Sequence, residues 1–90
     1  NRNYLLDPET MEVLHSIKTS GPAPHGLASD GEALWCADRE MAVIHRQDPE
    51  TGEVLDEVAF ADPELHGLTF HEGALLVCCA STRRICRVTV

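Results

Sequence analysis

The sequence predicts an all-β fold in which a unit of four short antiparallel strands occurs twice. A shift of 41 positions aligns the chain with itself and gives 15 identical residues in 49 gapless pairs, where unrelated sequences would give about three. Short apolar runs alternate with turn residues throughout the chain, and helical spacing is not sustained anywhere. Strands joined by tight turns explain both features.

The repeated residues lie in turns and at the beginnings of strands. The longest matching segments are Asp7–Thr10 with Asp48–Thr51, Glu12–Leu14 with Glu53–Leu55, and His25–Leu27 with His66–Leu68. Repeat 1 therefore covers about residues 7–47 and repeat 2 about residues 48–88, within one domain that spans residues 1–90.

The strands of one period follow from its turn residues. Segments Asp30–Gly31, Asp38–Glu40 and Asp48–Gly52 each predict a turn, because Asp bonds to the backbone that follows it and Gly accepts positive φ. Met11 stands where the second copy has Gly52. Since positive φ is costly for Met, we expect that turn to differ in shape. The predicted strands are Glu12–Lys18, Gly26–Ser29, Ala33–Ala37, Ala42–Gln47 and Glu53–Phe60, with Ile85–Val90 closing the second copy.

Four antiparallel strands in 41 residues have the length of one β-propeller blade. The pattern Pro24–Ala28, then Asp30–Gly31 and Ala33–Asp38, resembles the blades of NHL/TolB-like six-bladed β-propellers, the group that includes virginiamycin B lyase-like and gluconolactonase-like proteins. The second copy, with His66–Phe70 and Ala74–Val77, resembles them as well. The resemblance implies a six-bladed architecture; these are blade-building motifs and do not indicate one activity.

Two blades do not close a propeller, which needs about four to eight. The strands of a blade are numbered outward from the propeller axis. On this numbering the chain begins in a third strand and continues with a fourth strand, Glu12–Lys18. It ends on another third strand, Ile85–Val90. We expect completion either by self-association, in which the first strand of one chain joins the last blade of another, or as part of a longer propeller. Three chains would give the six blades that the resemblance implies, so a homotrimeric ring is favoured over two or four chains.

Charge and composition exclude several partners. A net charge of −8 repels phosphate backbones and anionic headgroups, so neither a nucleic acid nor a membrane is expected as a partner. No apolar run approaches the ~20 residues that span a bilayer. The four cysteines have no C-x-x-C spacing, which favours reduced thiols in the cytoplasm; a secreted or periplasmic location is the alternative.

His25 and His66 are the candidate ligand-binding residues, because they repeat just before the innermost strand of each unit. In a ring of three chains they would supply six imidazoles around one mouth of a central channel. Imidazole binds transition metals and titrates near neutrality, so a small molecule or a divalent metal could bind there. Alternation with period two instead places each histidine on the face of the leucine two residues later, where it would form a hydrogen bond across blades. His15, His45 and His71 do not repeat and are expected in solvent.

Cys79 and Cys86 flank the predicted hairpin Ser81–Arg84. Pairing Ala80 with Ile85 puts the two cysteines opposite each other, which is close enough for a cross-strand disulfide under oxidising conditions. Such cross-strand bonds are often strained, which favours two free thiols in the core over the disulfide.

The sequence favours a non-catalytic binding or assembly scaffold, because its repeated residues are mainly turn and packing residues. Any ligand would lie on the axial surface near His25 and His66. The alternative is a lyase or hydrolase with a metal-assisted site at the channel mouth. Gluconolactonase-like enzymes hold a divalent metal with carboxylate and asparagine ligands, whereas this chain has asparagine only at Asn1 and Asn3. No other cofactor is expected.

Overall fold

The computed structural model describes residues 1–60 and 64–90, and these residues form nine strands in three antiparallel sheets. The N-terminal sheet contains β1 (Arg2–Leu6) and β2 (Val13–Lys18). The central sheet contains β3 (Pro24–Ser29), β4 (Leu34–Asp38), β5 (Val43–Gln47) and β6 (Val54–Ala59). The C-terminal sheet contains β7 (Leu65–His71), β8 (Ala74–Cys79) and β9 (Arg84–Thr89). The all-β prediction is confirmed, and the described part of the chain has no helix long and apolar enough to cross a membrane.

Turn geometry repeats with the sequence. Ala42 and Arg83, which are 41 positions apart, both adopt left-handed backbone with φ of 54° and 57°. β5 and β9 each begin at the following residue. The six strands whose bounds were predicted from the turn residues begin and end within two residues of those bounds.

The turn at Met11 contradicts the sequence prediction. Met11 has φ of 64° and Gly52 has φ of 80°. Each donates its N–H to the carbonyl of the preceding Asp, at 2.7 Å from Asp7 and 2.8 Å from Asp48. The two turns therefore share one shape, because the hydrogen bonds organised by the aspartate outweigh the left-handed penalty at Met11.

The side of a sheet that points toward the next sheet in chain order is called its forward face, and the opposite side its backward face. The forward face of the central sheet packs on the backward face of the C-terminal sheet and forms the core. It consists of Ala28, Trp35, Ala37, Ile44 and Arg46. The backward face of the C-terminal sheet contributes Leu65, Leu68, Leu75, Val77 and Cys79.

The backward face of the central sheet points to the N-terminal sheet and buries polar groups. Gln47 Nε2 donates to the carbonyl of Lys18 at 3.1 Å. His45, expected in solvent, has a side chain only 7 % exposed. Its Nδ1 lies 2.7 Å from Ser20 Oγ, and its Nε2 lies 3.2 Å from Glu57 Oε1. That prediction was wrong because the segment between β2 and β3 folds over the imidazole.

Candidate functional site

His25 and His66 lie in β-bulges at equivalent places in β3 and β7. Leu27 pairs with Cys36 and Pro24 with Asp38, so His25 and Gly26 together lie opposite one residue. Direct partners share a face, and Pro24 rather than His25 therefore lies on the face of Leu27. The expectation from simple alternation was wrong, because the bulge adds one residue.

Glycine at the bulge permits close approach of the two inner strands. A Cβ added at Gly26 would lie 2.7 Å from the carbonyl oxygen of His66 and 2.9 Å from Leu68 Cβ. With no side chain there, the rings of His25 and His66 meet edge to face with centroids 5.1 Å apart. The two predicted ligand residues are thus neighbours across the interface between the central and C-terminal sheets.

A shallow cavity of about 360 Å³ lies beside His25, with Arg39 and Glu64 among its lining residues. Glu64 Oε2 lies 3.4 Å from Arg39 Nη2 and 3.7 Å from His66 Nε2. Arg39 and the imidazoles can donate hydrogen bonds to a small acidic ligand. The described residues contain no group of three or more His, Cys, Asp or Glu side chains placed to hold a metal ion.

No other sheet of the described chain packs on the forward face of the C-terminal sheet. This face includes Thr69, Leu76, Cys78, Ile85 and Arg87, the equivalents of residues on the central sheet's forward face. Ile44 is 0 % exposed in the central sheet, whereas Ile85 is 75 % exposed. Ala37 is buried, and its equivalent Cys78 is exposed.

Gly26 and Gly67, which are equivalent in the repeat, show the same difference between a covered and an exposed sheet. A Cβ at Gly26 would clash with the next sheet, whereas a Cβ at Gly67 would meet only Cys78 Cβ, at 3.4 Å. Gly67 therefore keeps the space that an inner strand needs for close approach, although nothing in the described chain occupies it.

A second apolar opening lies on the opposite side of the stack. A groove of about 440 Å³ separates the N-terminal sheet from the backward face of the central sheet. Leu27 and Leu34 line its floor, and Leu27 is 50 % exposed. Their equivalents, Leu68 and Leu75, pack against the core. The C-terminal sheet thus has an uncovered forward face, and the central sheet has a partly uncovered backward face.

Asp30 anchors the polar end of the buried forward face. Burial raises the pKa of its carboxyl. Hydrogen bonds from the backbone N–H groups of Ala33 and Glu32, followed by those from Arg46 and Trp35, outweigh burial and hold that pKa well below its usual range. Arg46 Nε lies 2.9 Å from Asp30 Oδ2.

The equivalent arginine in the C-terminal sheet has a different environment. His71 replaces the aspartate, and Arg87 is exposed and forms no ion pair with any residue that the structure describes.

The four cysteines are reduced thiols that form no disulfide among the described residues. Cys79 pairs directly with Arg84 rather than with Cys86, so the predicted register was off by two residues. Both cysteines still lie on the backward face, with their sulfur atoms 3.8 Å apart. Burial raises the pKa of the Cys36 thiol.

Sequence reasoning identified the repeated histidines but missed the uncovered face. A usable signal was present, since Ile44 and Ile85 are identical across the repeat and Ile85 lies in the last strand that the structure describes.

Comparisons with known proteins show the fold alone. No family model and no curated protein match the chain. One similar solved structure is the crystal structure of the computationally designed Ika4 protein, with a TM-score of 0.67 and 16 % sequence identity. The match covers 97 % of this chain and 53 % of that one, so this chain spans about half the length of the designed protein.

Proposed function

We propose that the protein is a non-catalytic scaffold of β-propeller blades that self-associates head to tail into a closed ring, with three copies giving six blades. The observation that carries the proposal is the contrast between Ile44, 0 % exposed, and Ile85, 75 % exposed. The same residue on the same face is buried where a further sheet packs on it and exposed where no described sheet does.

A second copy of this chain fits both uncovered surfaces at once. Within one chain, Leu68 and Leu75 of the C-terminal sheet cover the central sheet's forward face. Their equivalents, Leu27 and Leu34, lie in the groove on the backward face. Seating the forward face around Ile85 on Leu27 and Leu34 of another copy repeats the packing found inside the chain.

This interface joins two different surfaces, so each added copy exposes the same pair of surfaces again. Such an interface forms a ring if its rotation closes and a filament if it does not. Closure removes the exposed sheet faces and the free edge of β9, and free sheet edges otherwise promote aggregation. The NHL/TolB resemblance favours closure at six blades.

Ring formation would also repeat the contact between His25 and His66. Within the chain these rings meet edge to face with centroids 5.1 Å apart; across copies His66 would meet the next His25. A continuous circle of imidazoles would then line one mouth of the channel, beside Arg39 and Glu64. Any ligand bound there would be a small polar molecule able to accept hydrogen bonds.

The mass of the chain in solution tests the proposal. Light scattering after size exclusion should give three times 9.9 kDa, and the fraction associated should rise with salt, because each copy carries −8. Ile85→Glu should return the mass to that of one chain. Met11→Glu is the matched control, since it changes another exposed apolar side chain on a turn outside both surfaces. A folded wild-type monomer at every concentration would overturn the proposal.

A further inference from the structure

We propose that copies of this chain connect by exchange of one strand, in which β9 of one copy replaces β1 beside β2 of the next. The inference depends on the self-association proposed above and adds the way in which the copies join.

The number of strands in the described residues fits such an exchange. β1, β5 and β9 are equivalent under the 41-residue shift, so each is a third strand of its sheet. Two four-stranded units need eight strands, whereas residues 1–60 and 64–90 provide nine. When the C-terminal sheet is seated on the next copy's central sheet, as the repeat dictates, β9 falls on the position that β1 occupies.

The register of the exchanged strand follows from the pairing of β5 with β6. In that pair Ile44 lies opposite Val58 and His45 opposite Glu57. Subtracting 41 from the β6 positions and adding 41 to the β5 positions gives two new pairs. They are Ile85 with Ile17 and Cys86 with Ser16. β1 now fills those places with Asn3 and Tyr4, so β9 can take over the hydrogen-bonding edge of β2 without a change of register.

The position of Asn3 favours the exchange. Its Nδ2 is buried and has no hydrogen-bond partner among the described residues, and the Cys36 thiol with which the amide interacts is a weak acceptor. The equivalent residues are Ile44 and Ile85. Opposite this position, Ile17 is only 4 % exposed. Exchange would remove a buried unpaired donor and place Ile85 in an apolar site.

Release of β1 gives up little buried surface. Tyr4 and Leu5 are more than half exposed in their own sheet. The side-chain hydrogen bonds from Arg2 to Ser16 and from Asn1 to Pro22 would be lost; these are exposed and therefore exchange readily with water. The bond from Thr19 Oγ1 to the Asn1 carbonyl, at 3.2 Å, is part-buried and would be lost as well.

A disulfide trap detects the exchanged pair directly. Ser16→Cys should form an interchain disulfide with Cys86 under mild oxidation, identified by peptide mapping after non-reducing electrophoresis. Ser16→Cys combined with Cys86→Ala is the matched control and should lose that species. Associated wild-type chains together with no cross-link between position 16 and Cys86 would overturn the exchange and leave the self-association standing.

A lock on β1 tests the same step in the opposite direction. Tyr4→Cys/Ser16→Cys should hold β1 on β2 when oxidised, so that the mass falls to one chain, and reduction should restore association. An oxidised double variant that remains associated would overturn the exchange.

Asn3→Ile gives β1 the isoleucine that β5 and β9 have at the equivalent position. It should weaken association about tenfold, because a buried unpaired donor no longer favours release of β1. Tyr4→Ile, on the exposed face of the same strand, is its control and should change association little. An Asn3→Ile affinity equal to that of the wild type would contradict the exchange, whereas a wild-type chain that never associates would contradict the self-association itself.

Discussion

Two equivalent glycines should respond differently to the same substitution. An alanine Cβ at position 26 would lie 2.7 Å from the His66 carbonyl oxygen and 2.9 Å from Leu68 Cβ, both belonging to the neighbouring strand β7. Backbone cannot rotate away as a flexible side chain can, so Gly26→Ala must push β3 and β7 apart. Overpacking of this kind costs about 1–3 kcal/mol. Gly67→Ala meets only Cys78 Cβ at 3.4 Å, and alanine is favoured over glycine in a strand by roughly 0.5–1 kcal/mol.

Urea unfolding measures the difference, with the single buried Trp35 as the fluorescence probe. For a urea dependence of about 1 kcal/mol per molar, a cost of about 2 kcal/mol lowers the midpoint by about 2 M. Gly67→Ala should leave the midpoint unchanged or slightly raised at protein concentrations too low for association. At high concentration the same variant should fail to associate, because its Cβ fills the space that the next copy's inner strand needs. A Gly26→Ala midpoint equal to that of the wild type would refute the close-approach reasoning.

Three further predictions concern the fold of the single chain. Asp30→Asn should destabilise the chain near neutral pH, and the loss of stability relative to the wild type should shrink as pH falls below about 4. The pKa of Asp30 is lowered in the folded chain, so its carboxylate stabilises the fold above the unfolded pKa and this stabilisation is lost on acidification. Urea midpoints between pH 2.5 and 6 measure this, and a difference between variant and wild type that does not change with pH would contradict it. Met11→Gly should stabilise the chain by roughly 0.5–1 kcal/mol, since Met11 has φ of 64°; thermal unfolding measures this, and a loss of stability would show that the Met side chain contributes more than the backbone penalty. Ile44→Ala should cost about 2–5 kcal/mol and Ile85→Ala almost nothing in dilute solution; equal losses would contradict their different burial.

Local turn chemistry made the strands predictable. Asp48 and its equivalent Asp7 organise their turns by accepting hydrogen bonds from the backbone N–H groups two and three residues later. Such turns depend only on consecutive residues and can therefore be predicted from sequence. The shape of the Met11 turn was missed because propensity at one position was weighed without the hydrogen bonds around it.

The site was less predictable because it depends on contacts between segments far apart in sequence. His45 is buried by Ser20, 25 residues away, and no local pattern around His45 indicates that contact. The bulges at His25 and His66 shift the alternation by one residue, so a period-two argument assigned the wrong face. The repeat identified the histidines as equivalent, and only the packed sheets revealed that their rings touch.

The alkylation rate of Cys78 reports whether a second copy covers the forward face, because this thiol is exposed in the single chain and lies on that face beside Ile85, its direct partner in β9. With a fixed reagent concentration and increasing concentrations of the unmodified chain, mass spectrometry should show Cys78 becoming protected as copies cover the face. The protection should disappear in Ile85→Glu and remain in Met11→Glu. A Cys78 that reacts at the same rate at every protein concentration would contradict the claim that a second copy covers this face.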